Sequence, residues 1–183
     1  MASSFDLAIP YILKNEGGYV NDPRDKGGAT NFGISTLMIK REGITAAQLG
    51  IPDLSPASIK AMKVAAAKMV YKQVFWDKYH CGLIENQALA TKCFDIIVNQ
   101  GPFWGVACFQ QALGFSGTNL DGKLGKNTAA AINKSDPVQL MTSVCRFQAA
   151  RYEYIIKHDP TQCCWRGNWL HRASLTFGVA NGS

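Results

Sequence analysis

No run of eighteen apolar residues occurs in the 183-residue chain, so neither a transmembrane helix nor stable membrane insertion is expected. Charge is sparse. Asp, Glu, Lys and Arg make up 17% against 47% apolar residues, which excludes a disordered or coiled-coil chain and leaves enough apolar mass for a core. Cysteine occurs six times but never as CxxC, and the three histidines stand alone, so no metal site is expected. No phosphate loop, dinucleotide fingerprint or nucleophile elbow is present, and no organic cofactor is implied. The first residues, Met1-Ala2-Ser3-Ser4-Phe5-Asp6, lack the basic and apolar segments of a standard secretory signal.

Without an oxidising compartment, buried thiols are the expected state. Cys93, Cys108 and Cys145 lie in apolar helical patterns, whereas Cys163-Cys164 lies in a loop and is the pair expected to be exposed, which leaves a disulfide involving one of them open. The net charge is +6, which draws a protein to polyanions: nucleic acid, anionic lipid or acidic wall polymer. The basic residues are scattered and form no block, which argues against a nucleic-acid partner.

Periodicity predicts a mainly α protein. Phe5, Ala8, Ile9, Ile12 and Leu13 mark a helix over 5–16, with Pro10 near its start and Gly17-Gly18 at its end. Gly, Asn, Asp and Pro at turn spacing over 17–34 predict a small β-hairpin lobe. Ser35 caps a helix to about Lys40, and a short helical piece is expected at 45–49. Ser55-Pro56 opens a helix whose apolar positions run to about Trp76. Two apolar helices, 88–99 and 103–113, flank Gly101-Pro102; a loop over 115–125 precedes a short helix at 126–133. Asp136-Pro137 opens a long helix to about Lys157, and a last helix over 165–177 sets Trp165 and Trp169 one turn apart, facing a core.

The chemistry-bearing string is Glu16-Gly-Gly-Tyr-Val-Asn-Asp-Pro-Arg-Asp25-Lys-Gly-Gly-Ala-Thr30. Glycosidic hydrolysis needs two carboxyl groups in contrasting surroundings. Glu16 ends a helix beside Ile9, Ile12 and Leu13; the helix dipole and apolar neighbours both favour a carboxyl group that keeps its proton, as a general acid must. Asp25, after eight intervening residues and between Arg24 and Lys26, suits the ionised partner that directs water or stabilises positive charge. Thr30 offers a hydroxyl to hold that water. Tyr19 and Trp76 are candidate sugar platforms, and Asn99, an amide within a helix, is a candidate sugar contact. Each also has a plain packing role: ordinary turns for Asp22-Pro23 and Asp25, core for Trp76, a satisfied amide for Asn99.

Glu16 to Thr30 with the following Asn-Phe-Gly-Ile resembles the signature of glycoside hydrolase family 108, the N-acetylmuramidases of phage endolysins and related bacterial lysozymes. Val70-Tyr71, Phe75-Trp76-Asp77 and Phe94 to Gly101 resemble later family segments. Asp121 to Thr128 and 165–172 resemble a predicted peptidoglycan-binding region. The resemblance implies a lysozyme-like helical fold, with a muramidase region over 1–92 and a peptidoglycan-binding-like region over 93–183 packed with it as one unit. It implies Glu16 as the acid and cleavage of the β-1,4 bond between N-acetylmuramic acid and N-acetylglucosamine, by an inverting course. The broader phage-type pattern has five residues between the Asp and the Thr; here four separate Asp25 from Thr30, and Asp22 is the reserve carboxylate. A monomer acting on peptidoglycan, held in the host cytoplasm until a holin releases it, is the implied setting. A lytic transglycosylase, which needs only the acid, and a non-catalytic wall-binding or scaffold module are the competing readings.

Overall fold

The computed structural model describes residues 3–22 and 27–179, so Asp25 lies outside the described residues. Nine α-helices and one two-stranded antiparallel sheet make up the described regular structure, together with short 3-10 turns and a π-helical segment. The chain forms two compact units: Ile9–Lys78, and Met1–Ala8 with Tyr79–Ser183. The mainly α, lysozyme-like expectation holds.

In the Ile9–Lys78 unit, α1 (Phe5–Asn15) buries Ile9 and Ile12 completely. The backbone N–H of Glu16 donates to Ile12 O at 3.1 Å, and Gly17 takes φ +75°. The helix therefore stops in the left-handed conformation that glycine adopts at little cost. The hairpin pairs β1 (Thr30–Asn31) with β2 (Ile34–Ser35), Thr30 opposite Ser35 and Asn31 opposite Ile34. Its two-residue loop, Phe32-Gly33, has positive φ at both positions (51° and 75°), the requirement of a type I′ hairpin turn. Val20 adds an antiparallel bridge to Thr30.

Ser35 caps α2 (Thr36–Arg41) by accepting from Met38 N, and Ser55 caps α3 (Pro56–Ala61) by accepting from Ser58 N. The expected single helix from Pro56 to Trp76 is broken. Met62 adopts extended backbone, a new helix α4 (Val64–Tyr71) follows, and Lys72–Asp77 continues as π-helix. The break has a visible cause: the buried Asn31 side chain donates to Ile59 O at 3.0 Å and Lys60 O at 3.2 Å. The hairpin thus takes up carbonyls that a continuing helix would have used. The helical piece expected at 45–49 is a run of turns, closed at once by Gly50 at φ +67°.

The other unit is built from longer helices: α5 (Gln87–Gln100), α6 (Pro102–Ala112), α7 (Lys126–Lys134), α8 (Pro137–His158) and α9 (Arg166–Ser174). The α5–α6 crossing is close because residue 105 is glycine. A Cβ there would lie 2.2 Å from Ile97 Cγ1 and 2.8 Å from its backbone nitrogen. Asp136-Pro137 opens α8 as predicted, with Asp136 accepting from Gln139 N.

The short α9 is held by buried polar groups of α5. Lys92, fully buried, donates its ammonium to Ala173 O (2.7 Å), Leu175 O (3.0 Å) and Arg172 O (3.4 Å) at the end of α9. Its three donors meet three carbonyls, while burial lowers its pKa. Asp95, also fully buried, pairs with Arg172 at 2.9 Å.

Trp169 stacks on Tyr152 at 5.1 Å, as expected of a packed residue. Trp165 does not share that role: it lies in a 3-10 turn and is 52% exposed. All six cysteines are free thiols; Cys81, Cys93 and Cys108 are buried and Cys163 and Cys164 exposed. Burial pushes the Cys108 thiol up to about 12. A hydrogen bond with Cys81, together with burial, raises Cys93 well above the usual thiol range.

Candidate active site

Glu16 emerges one residue beyond α1, half-buried, and its side chain meets the hairpin turn. A Cβ at Gly33 would lie 2.9 Å from Glu16 Oε2, 3.0 Å from Glu16 Cβ and 2.6 Å from the Tyr71 hydroxyl. The Glu16 carboxylate and the Tyr71 phenol therefore approach one point, over a backbone that only glycine leaves bare. Tyr71 is buried at 1% exposure and donates to Phe32 O at 2.8 Å. That bond anchors Phe32, whose left-handed backbone costs roughly 1–2 kcal/mol for a non-glycine residue. Strain of this kind persists where surrounding contacts over-determine it, and such positions cluster at functional sites.

The hairpin also fixes the neighbours. Thr30 N–H donates to Val20 O and Val20 N–H to Thr30 O, both at 2.8 Å. Tyr19, next to Val20, is half-buried with Lys60 Nζ 5.6 Å from its ring centroid. The Thr30 hydroxyl donates to Gly28 O at 3.4 Å, and Asp22 is half-buried. Glu16, Tyr19 and Thr30 thus share the small β lobe and its border. Trp76 is in the same unit, within the π-helical segment, at 5% exposure. Asn99 belongs to the other unit: on the exposed side of α5, it accepts from the Tyr152 hydroxyl at 2.6 Å. Burial raises the pKa of that phenol.

Tyr71 and Gly33 carry no site role in the sequence reading, although both lie within family-like segments. The available signal was the pairing of Gly33 with an upstream Phe in a two-residue hairpin loop, which marks a turn but not what the turn touches. No group of three or more His, Cys, Asp or Glu among the described residues could hold a metal ion.

The family model for Glycosyl hydrolase 108 matches residues 9–101, from the buried face of α1 through the Glu16 turn and the hairpin to the end of α5. The chain belongs to glycosyl hydrolase family 108. A second family model, Predicted Peptidoglycan domain, matches residues 104–174, which hold most of α6 and all of α7 to α9. Among solved structures, the chain is similar to Brucella abortus SagA, with 28% identity, a TM-score of 0.70 and coverage of 94% of this chain and 91% of that one. Among curated proteins, none matches the chain in sequence. The two family assignments make this family 108 member a glycoside hydrolase with a role in peptidoglycan hydrolysis. No helix among the described residues is long and apolar enough to cross a membrane.

Proposed function

We propose that the protein is an N-acetylmuramidase, cleaving the β-1,4 bond between N-acetylmuramic acid and N-acetylglucosamine with Glu16 as the general acid. The observation that carries this reading is the setting of Glu16: half-buried at the end of α1, against a bare Gly33 backbone and beside the Tyr71 hydroxyl. A fixed, partly desolvated carboxyl group in an open turn is the arrangement that general acid catalysis asks for. Glu16 protonates the leaving glycosidic oxygen as positive charge builds on the sugar ring. Tyr71 positions the carboxyl group and the turn beneath it. Asp25 serves as the second carboxylate, with Asp22 in reserve, and directs a water or stabilises the oxocarbenium-like ring; Thr30 helps hold that water. Tyr19, at the border of the lobe, offers an aromatic face to the glycan.

The test is Glu16→Gln, assayed on purified peptidoglycan, with circular dichroism to establish folding. Loss of about 10²–10⁴ in rate is expected, the range a positioned general acid contributes. Undiminished lysis by the folded variant would remove Glu16 from the mechanism. Mass spectrometry of the released muropeptides separates hydrolysis, which leaves reducing muramic ends, from transglycosylation, which leaves anhydro-muramic ends.

A further inference from the structure

The hydrolysis just described makes no use of a row of aromatic side chains on α6 and α8. Phe103 and Trp104 meet edge to face with centroids 5.1 Å apart. The Arg151 guanidinium lies over the Trp104 ring at 4.1 Å and over the Tyr154 ring at 5.2 Å. Tyr154 in turn meets His158 at 4.0 Å. Phe147, Arg151 and Tyr154 recur at helical spacing and share one face of α8. Together with Trp104, Gln111 and Ala150 they line an open groove of about 420 Å³. Phe103, Phe147 and Tyr154 are all exposed, Tyr154 at 54%. Contiguous aromatic surface of this kind marks a binding face far more often than a scattered exposed residue does.

Arg151 decides what the groove takes. Its Nε is buried without a hydrogen-bond partner, and no acceptor among the described residues holds the guanidinium. The two rings keep the guanidinium in place, yet its buried Nε–H stays unmet. No acidic side chain among the described residues balances the guanidinium, and an incoming carboxylate would pair with it through charge-assisted hydrogen bonds. The aromatic faces complement this. Their negative π surfaces accept the positively polarised C–H face of a sugar ring. The Gln111 amide offers one donor and one acceptor to an N-acetyl or peptide group. The net charge of +6 and the location of every lining residue within 104–174, the span of the predicted peptidoglycan domain, fit the same class of ligand.

We propose that the α6–α8 groove binds the peptide-bearing glycan of peptidoglycan, with a sugar ring on Tyr154 and Phe147 and a stem-peptide carboxylate on Arg151. The proposal rests on peptidoglycan being the substrate, but it does not depend on Glu16 being the acid.

The experiment uses the full chain carrying Glu16→Gln, titrated with soluble N-acetylglucosaminyl-N-acetylmuramyl tetrapeptide and, separately, with the peptide-free disaccharide. Nitrogen-15 NMR follows the Trp104 indole and Arg151 Nε–H signals. Both signals are expected to move with the muropeptide. Added Arg151→Gln should weaken muropeptide binding at least about fivefold and leave disaccharide binding unchanged, because one charge-assisted contact is lost. Arg151→Lys, which keeps the charge but not the planar fork, should fall between. Muropeptide affinity should also drop as salt is raised.

Equal affinity for the muropeptide in folded Arg151→Gln, or shifts confined to residues away from α6 and α8, would overturn the groove assignment while leaving the muramidase reading intact. A concentration-dependent dimer that Arg151→Gln dissolves, seen by light scattering, would reassign the face to self-association and also overturn it. No binding of either ligand, with no lysis of sacculi by the unsubstituted protein, would defeat both readings together.

Discussion

The two compact units of this chain solve opposite problems. The Ile9–Lys78 unit has helices of six to eight residues beyond α1, a hairpin of two-residue strands and a left-handed Phe32. The Tyr79–Ser183 unit contains a 14-residue helix and a 22-residue helix, and ties its last helix down with buried charge. Short elements joined by glycine turns bring backbone and side chains together at a point, as at Gly33, Glu16 and Tyr71. Long helices present a continuous face, as along Phe147, Arg151 and Tyr154. On the proposed function, the difference assigns local chemistry to the irregular unit and extended contact to the regular one.

Four substitutions test that division, taken from the largest expected effect. Asp95→Ala takes the buried carboxylate away from the part-buried Arg172 guanidinium. Breaking a buried pair from one side costs about 3–5 kcal/mol, so a large fall in Tm by calorimetry is expected, with the lytic rate per folded molecule nearly unchanged. A large rate loss in folded Asp95→Ala would tie the helical unit to the chemistry and blur the contrast.

Gly33→Ala puts a methyl group against Glu16 and Tyr71 at a residue with φ +75°. We expect about 1–3 kcal/mol of destabilisation and a loss of lysis exceeding that of any equally destabilised variant of the helical unit. Full activity would mean that the Glu16 turn tolerates displacement.

The third concerns alkaline pH. The folded-state pKa of Cys108 is raised by burial to about 12, against the ordinary thiol value of 9.0. A raised folded pKa favours the protonated native state, so this stabilisation is complete below about pH 9 and is lost as pH climbs through 12. Cys93 acts in the same direction. Denaturant titrations between pH 8 and about 10.5 should show stability falling, and Cys108→Ala should shallow that slope although it lowers stability at pH 7. An unchanged slope would remove Cys108 as a cause.

The smallest effect is Tyr71→Phe, which removes the hydroxyl that donates to Phe32 O. About 1 kcal/mol of stability and roughly tenfold of rate are expected to go, measured by urea unfolding and peptidoglycan lysis. A stability loss without any rate loss would make Tyr71 a support of the hairpin alone.

Much of the fold was legible because its boundaries are written locally. Ser35, Ser55-Pro56 and Asp136-Pro137 each cap a helix with their own side chain, and Gly101-Pro102 separates two helices as expected. What escaped was written at a distance. The break at Met62 comes from the amide of Asn31, 28 residues upstream of Ile59, and no periodicity within 56–76 announces it. Trp165 and Trp169 have the same spacing that two packed residues would have, but a 3-10 turn ends between them and leaves Trp165 outside. At the site, Glu16 and the glycine-rich string were recognisable in the sequence. Tyr71, reached through the fold from a separate helix, was not assigned a role.

Lys92 gives the helical unit a built-in chemical reporter. Its amine is sealed beneath the end of α9, with its donors engaged by three backbone carbonyls. Acylating reagents that consume surface lysines within seconds will therefore reach this one only when α9 lifts away. The slow modification of a single lysine, read by peptide mapping, becomes a clock for the opening of the last helix in the intact protein.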